Sequence, residues 1–161
     1  MAKKIFWVLL VAFIVIQFFK PAKNKSEGTQ LNNIEALYPI PADVKTILQK
    51  ACNDCHSNNT SYPWYNNIQP VAWWLEHHVN EGKRELNLDE FANTSLRRQY
   101  HKLEEIEEQI KKGDMPLPSY TWIHKDAVLT DAEKNAVYAW VSDVRGKMEA
   151  AYPMDSLVRK K

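Results

Sequence analysis

Both cysteines of this 161-residue chain lie in one short segment, Cys52-Asn53-Asp54-Cys55-His56. The pattern C-x-x-C-H is the attachment signature of c-type haem. When such a segment is helical, its two thiols have the spacing to form thioether bonds with the two vinyl groups of haem. The adjacent histidine can then bind the iron through an imidazole nitrogen. We therefore predict one covalent haem c per chain, bound by Cys52, Cys55 and His56.

The same pair of cysteines is also compatible with a zinc site, a redox dithiol or a disulfide. A structural zinc site needs four ligands, and His77 and His78 would complete one only if two neighbouring helical residues faced the same centre. A thioredoxin-like dithiol is typical of a βαβ context, which this sequence lacks. A disulfide would close too short a loop to stabilise the fold much. These alternatives are therefore weaker than the haem interpretation.

A haem iron bound by one histidine has one further coordination position, and methionine often occupies it in electron-transfer domains. Met115 is the best-placed candidate because it lies in a proline-rich loop after His56, where the flanking proline stiffens the chain. We therefore predict His56 and Met115 as the two iron ligands. His78 is the next candidate ligand, and an open or water-bound iron is the third possibility. Met148 falls among apolar positions of the last helix, which predicts a packing role.

The elements that must position these residues are predicted to be helices. Apolar residues recur at helical spacing, and no segment alternates with period two over a useful length. We predict an all-α, cytochrome-c-like domain over residues 36–152, followed by a basic tail at 153–161. The predicted helices cover residues 42–51, 70–82, 95–112 and the segment after a capping box at Thr130 and Glu133.

Two long connections in this domain, residues 57–69 and 114–129, are rich in proline and aromatic residues. Loops of this length without secondary structure are usually functional. We therefore predict that both are ordered and lie beside the haem, where their rings would exclude water.

The first 20 residues have the pattern of an export signal. Residues 5–19 are apolar apart from Gln17, Lys3 and Lys4 precede them, and no small-x-small cleavage site follows. We predict an uncleaved membrane-anchor helix over residues 1–20 and a flexible linker over residues 21–35. The predicted location is the cytoplasmic membrane, with a single span and the soluble domain on the periplasmic side.

Composition excludes several other classes of protein. The chain has only four glycines and no glycine-rich phosphate-binding pattern. Its formal net charge of +1 gives no reason to expect a nucleic-acid partner. A hydrophobic content of 45% makes a fully disordered chain improbable on composition.

Taken together, these segments resemble the bacterial haem-binding domain family, whose members are small c-type-cytochrome-like proteins with an N-terminal membrane segment. The resemblance covers residues 36–145 and implies covalent haem c, but it supplies no substrate or partner. The matching segments are residues 52–58, 62–65 and 70–74, His78 with residues 81–83, residues 86–87 before Phe91, and Met115-Pro116 with Tyr120 and His124.

The function predicted from the sequence is a membrane-tethered monohaem c-type cytochrome. It would transfer single electrons in the cell envelope between redox protein partners, as an electron carrier rather than an enzyme. The alternative is a peroxidase-like haem enzyme, or a gas or redox sensor, with an open or weakly ligated iron. A haem-bearing interaction module without turnover is the third hypothesis.

Overall fold

All regular secondary structure in the described chain, residues 1–159 of a computed structural model, is helical, and no strand occurs within that range. The all-α prediction is therefore confirmed. The last two residues of the predicted basic tail, 160 and 161, lie outside the described residues. The α-helices are α1 (Ala2–Ile16), α2 (Ala42–Ala51), α3 (Asn53–His56), α4 (Val71–Glu85), α5 (Leu96–Lys112), α6 (Pro118–Thr121), α7 (Asp131–Ala151) and α8 (Met154–Leu157). Short 3₁₀ helices cover Ile34–Ala36, Trp64–Asn67, Leu88–Asn93 and Lys125–Ala127.

Local sequence signals set several of the helix ends. Ser95 caps the N-terminus of α5, and Gly113 ends that helix in the left-handed region with φ of 80°. The Thr130 side chain accepts a hydrogen bond from the Glu133 backbone amide, and the Glu133 carboxylate accepts one from the Thr130 backbone amide. The predicted capping box therefore starts α7. The second long helix departs from expectation, because Pro70 is its N-cap and α4 continues past Gly82.

The hydrophobic core lies between α2, α5 and α7, with α8 packed against α5. Leu103 and Val141 are fully buried there. Met148 is 1% exposed in the same core, in agreement with the packing role predicted for it. Because α2 packs through Val44, Ile47, Leu48 and Ala51, its C-terminal end has a fixed position, and the C-x-x-C-H segment follows directly from that end.

The N-terminal prediction is wrong. Helix α1 has 15 residues, none of them buried, and no helix within residues 1–159 is long and apolar enough to cross a membrane. A helix of this length spans about 22 Å, against a hydrocarbon core of about 30 Å. Helix α1 ends at Ile16, so the apolar residues 5–19 do not form one continuous helix. Gln17 then accepts a hydrogen bond from the Gln69 amide at 2.9 Å, and the Phe19 carbonyl accepts from the Gln69 side chain at 2.7 Å. The predicted membrane-anchor helix and the predicted single-pass membrane location are both corrected by this finding.

The segment predicted as a linker has one residue with several contacts to the domain. The Asn24 amide group donates to the Ser57 carbonyl and to the Thr60 hydroxyl, both at 2.9 Å. Its backbone N–H donates to the Tyr62 hydroxyl at 2.8 Å, and its side-chain oxygen accepts from Lys83 Nζ at 2.6 Å. Asn24 thus connects the N-terminal segment to the loop that follows the C-x-x-C-H motif. The domain boundaries given above stay predictions.

Candidate functional site

The C-x-x-C-H motif forms a single helical turn at the end of α2. Cys52 lies between α2 and α3, and its carbonyl accepts hydrogen bonds from the amides of Cys55 at 3.1 Å and His56 at 2.9 Å. Both cysteines are free and partly exposed. The turn therefore has the helical conformation that attachment of two thiols to one haem requires.

The thiols of this turn are poor candidates for redox chemistry. Burial raises the pKa of Cys52 to about 12 and that of Cys55 to about 11, with the neighbouring acidic groups adding to the effect. Reactive dithiols have the opposite property, a lowered pKa that produces thiolate at neutral pH. The environment of the two cysteines therefore disfavours the dithiol alternative.

His56 is oriented by the backbone at the end of α4. Its Nδ1 lies 3.0 Å from the Gly82 carbonyl oxygen and 2.9 Å from the Leu86 carbonyl oxygen. Since carbonyl oxygens only accept, Nδ1 bears the hydrogen and Nε2 is left with its lone pair. Nε2 has no hydrogen-bond partner among residues 1–159. Burial lowers the pKa of His56, which favours the neutral ring that can bind a metal.

Gly82 allows α3 and α4 to approach closely. A Cβ atom at this position would lie 2.7 Å from the Cys55 carbonyl oxygen and 2.9 Å from the Cys55 Cβ. Real side chains do not tolerate such distances, so this packing requires glycine. From the sequence, Gly82 is predicted only to end a helix. The signal for its true role is a glycine inside an apolar helical pattern, which often marks a close packing contact.

Two adjoining cavities of about 270 and 380 Å³ border the motif, and we call them together the central cleft. Cys52, His56 and Met115 line both cavities, and Cys55 lines the larger one. Volumes of this order are typical of cofactor and ligand sites. The structure thus brings the two predicted iron ligands to the walls of one cleft. Their binding to iron stays a prediction.

The position of Met115 follows from the way α5 ends. After Gly113, the amides of Asp114 and Met115 both donate to the Gln109 carbonyl, at 3.0 and 3.2 Å. These bonds satisfy a carbonyl of the last helical turn and turn the chain back toward the cleft. Met115 is partly buried there.

The other histidines differ in how they relate to the cleft. His78 lines the larger cavity, and its Nδ1 lies 2.8 Å from the Trp74 carbonyl oxygen, so that Nδ1 is the donor in this contact. The side chains of His77 and His101 are 65% and 60% exposed and lie beside glutamates. His124 stacks on Tyr120 with ring centroids 4.2 Å apart. His78 is therefore the one rival histidine that borders the same cavity as His56.

One charged group of the cleft is missed by the sequence analysis. The Lys102 side chain is 12% exposed and lines the smaller cavity, where its Nζ lies 2.5 Å from Glu105 and 3.4 Å from Glu85. A lysine on a polar helix is expected to face solvent, and no spacing in the sequence distinguishes this one from its neighbours. Its burial follows from the packing of α5 beside the end of α4.

The donor set and the cleft fit a haem group. An imidazole with a free Nε2, a thioether and two thiols border cavities of adequate volume, and the apolar walls would exclude water. The chain matches the haem-binding domain family over residues 11–143. It belongs to this family. No curated protein and no solved structure matches the chain. The family resemblance inferred from the motifs is confirmed to this extent, and haem is the cofactor that the family and the cleft support.

Proposed function

We propose that this haem-binding domain protein is a monohaem c-type cytochrome that transfers single electrons. The observation that carries the proposal is that Cys52, His56 and Met115 line one cleft, with Cys55 one helical turn from Cys52. When bound, the haem iron would supply a one-electron couple between its ferrous and ferric states. The roles of the chain are to attach the group, orient it and limit water.

Attachment is assigned to Cys52 and Cys55. Their thiols lie on a helical turn whose position is fixed on one side by the core contacts of α2 and on the other by α4 at Gly82. A covalently bound group cannot dissociate during repeated electron transfer, which suits an electron carrier. One motif implies one haem c per chain.

His56 and Met115 are the residues that would bind the iron. The two carbonyl contacts of Nδ1 orient the His56 ring and make Nε2 the metal-binding nitrogen. A thioether from Met115 is a soft, neutral ligand that favours ferrous iron and so raises the reduction potential relative to a second imidazole. With both residues bound to the iron, electrons would be transferred without exchange of ligands.

A second candidate function is a haem enzyme or gas sensor. It is favoured by one observation, that His78 borders the larger cavity together with His56 and would be available as an acid–base group over an open iron. Rapid binding of carbon monoxide to the ferrous wild-type protein would support this alternative. The electron-carrier proposal expects slow binding, because Met115 would have to leave the iron first.

Covalent attachment is the decisive test of the proposal. The full chain expressed with a haem c maturation system should keep its haem on a denaturing gel, and its mass should increase by that of one haem. The variant in which Cys52 and Cys55 are both replaced by alanine should lose both properties. Haem that is extracted from the wild-type protein by acid solvent would contradict c-type attachment.

A further inference from the structure

The segment that contains Met115 has few attachments to the rest of the domain. It extends from Gly113 to His124, and at its start the backbone is fixed to α5 through the Gln109 carbonyl. Within the described chain, only two of its side chains form hydrogen bonds to residues outside the segment, and these are Tyr120 and His124. Apart from backbone and packing contacts, Tyr120 and His124 are therefore the residues that can attach the far end of the segment to the rest of the domain.

Tyr120 attaches the segment to the C-x-x-C-H motif itself. Its hydroxyl group donates to Asp54 Oδ2 at 2.8 Å, and Asp54 lies between Cys52 and Cys55 in the sequence. The other carboxylate oxygen of Asp54 accepts from the Ser61 amide at 2.9 Å, so the acceptor itself has a fixed position. Tyr120 is partly buried and borders the larger cavity with His56 and Met115. Hydrogen bonds to a carboxylate are among the stronger ones in proteins.

His124 reinforces this attachment through its ring. It stacks on Tyr120 at 11° between the ring planes, and its Nε2 lies 3.3 Å from the Tyr65 hydroxyl. The stack restricts rotation of the Tyr120 ring, and the contact with Tyr65 connects the end of the segment to the loop after the motif. Both ends of the Met115 segment are thus fixed, one by backbone and one by side chains.

We infer that Tyr120 is a positioning residue, which would keep Met115 available as an iron ligand by anchoring the 113–124 segment to Asp54. The inference rests on the proposed axial role of Met115. Tyr120 itself does not touch iron in this assignment and acts through the loop. Burial and the Asp54 carboxylate raise the pKa of Tyr120, so its hydroxyl remains a donor at neutral pH.

The test replaces Tyr120 by phenylalanine in the full-length haem-loaded protein. Tyr120→Phe keeps the ring stack on His124 and removes one hydroxyl group. The absorption band of methionine-ligated ferric haem should weaken, and the ferrous form should bind carbon monoxide about tenfold faster, as expected for loss of one hydrogen bond to a charged group. Asp54→Ala should have the same effect, and the mass of the intact protein should show that the haem is still covalently bound. Tyr138→Phe is the matched control, because the Tyr138 ring contacts Lys111 and its hydroxyl forms no hydrogen bond within residues 1–159.

The outcomes separate the inference from the proposed function. A wild-type protein without covalent haem would overturn the proposed function and this inference with it. Covalent haem without a methionine band in the wild type would show that Met115 is not a ligand. It would overturn this inference and the Met115 assignment, and would leave c-type attachment by Cys52 and Cys55 in place. A normal band and unchanged carbon monoxide binding in Tyr120→Phe would show that the loop positions Met115 without this hydrogen bond.

Discussion

His56 is oriented by two backbone carbonyls rather than by another side chain. The acceptors belong to Gly82 and Leu86 at the end of α4, so they do not depend on the presence of a particular polar side chain. The opposite wall of the cleft is built differently, because Met115 lies on a loop. This loop is held by the end of α5 at one side and by the side chains of Tyr120 and His124 at the other. At the residue scale, we therefore expect the orientation of His56 to be less sensitive to the loss of a single polar side chain than the position of Met115.

Replacement of Met115 by alanine should change the spectrum with little effect on stability, because this side chain borders a cleft rather than the core. The ferric haem should become high-spin and the ferrous form should bind carbon monoxide readily, whereas Met115→His should stay low-spin with a lower reduction potential. Met148→Ala is the matched control, since that side chain is 1% exposed in the core. It should lower the free energy of unfolding by about 2–5 kcal/mol without changing the spectrum. An unchanged ferric spectrum in Met115→Ala would show that Met115 is not an iron ligand, and His78 would be the next candidate ligand to test.

At the scale of elements, the contact between α3 and α4 has the strictest steric requirement of the site. It places Gly82 against Cys55, and it brings the end of α4 to the Nδ1 atom of His56. The same short contact thus determines where a thiol lies and how the imidazole is oriented. Any change that separates these two helices should affect attachment and ligation together.

Gly82→Ala should therefore destabilise the protein and impair haem attachment. The added methyl group would lie 2.7 Å from the Cys55 carbonyl oxygen, and overpacking of this kind costs about 1–3 kcal/mol. Gly146→Ala is the matched control, because a Cβ atom there meets nothing within 4 Å in an exposed part of α7. It should raise the free energy of unfolding by about 0.5–1 kcal/mol. Denaturant titration and the yield of covalent haem measure both effects, and equal behaviour of the two variants would contradict this account of the α3–α4 contact.

Sequence patterns predict those elements whose signals are local. The bounds of α2, the Ser95 cap, the Gly113 stop and the capping box of α7 are all confirmed, because each depends on residues within one or two turns. The end of α1 at Ile16 could not be predicted, since it coincides with contacts between Gln17, Phe19 and the distant Gln69. The role of Gly82 depends on Cys55, 27 positions earlier in the printed sequence. Residues that are adjacent only in the folded chain gave no pattern to interpret.

At the scale of the whole molecule, an ion pair joins α2, the helix that leads into the C-x-x-C-H motif, to α7. Lys50 Nζ, in the last turn of α2, lies 2.6 Å from Glu133 Oε1 at the start of α7. The other oxygen of Glu133 accepts from the Thr130 amide at 2.9 Å as part of the capping box. Glu133 therefore contributes to a helix cap and to contact between two core helices at once.

This arrangement predicts a specific pH dependence of stability. The hydrogen bond from Lys50 lowers the pKa of Glu133 below its ordinary value of 4.5, with the Thr130 amide as a further cause. A lowered folded-state pKa means that the stabilisation is complete above the ordinary value and is lost as the pH falls through the folded-state value. Glu133→Gln should be less stable than wild type at pH 7, and the difference should disappear in acid. Glu108→Gln, at an exposed pair with Lys112, should have almost no effect at either pH. A difference that persists in acid would assign the effect to packing.

Asn24 has a consequence for where the folding unit begins. It satisfies Lys83 Nζ and the Thr60 hydroxyl, and a fragment that starts at residue 36 would leave both without these partners. Such a fragment should unfold at a lower urea concentration than one that starts at residue 21, and most of the loss should come from the core residue Ile34, which is 1% exposed. Asn24→Ala in the longer fragment isolates the contribution of Asn24 and should reproduce a smaller part of the loss. Identical midpoints of the longer fragment with and without Asn24→Ala would show that water replaces Asn24 without cost. A lower midpoint for Asn24→Ala would show that the folding unit begins before the first core helix, at the residue that contacts Ser57, Thr60 and Tyr62 in the loop after the C-x-x-C-H motif.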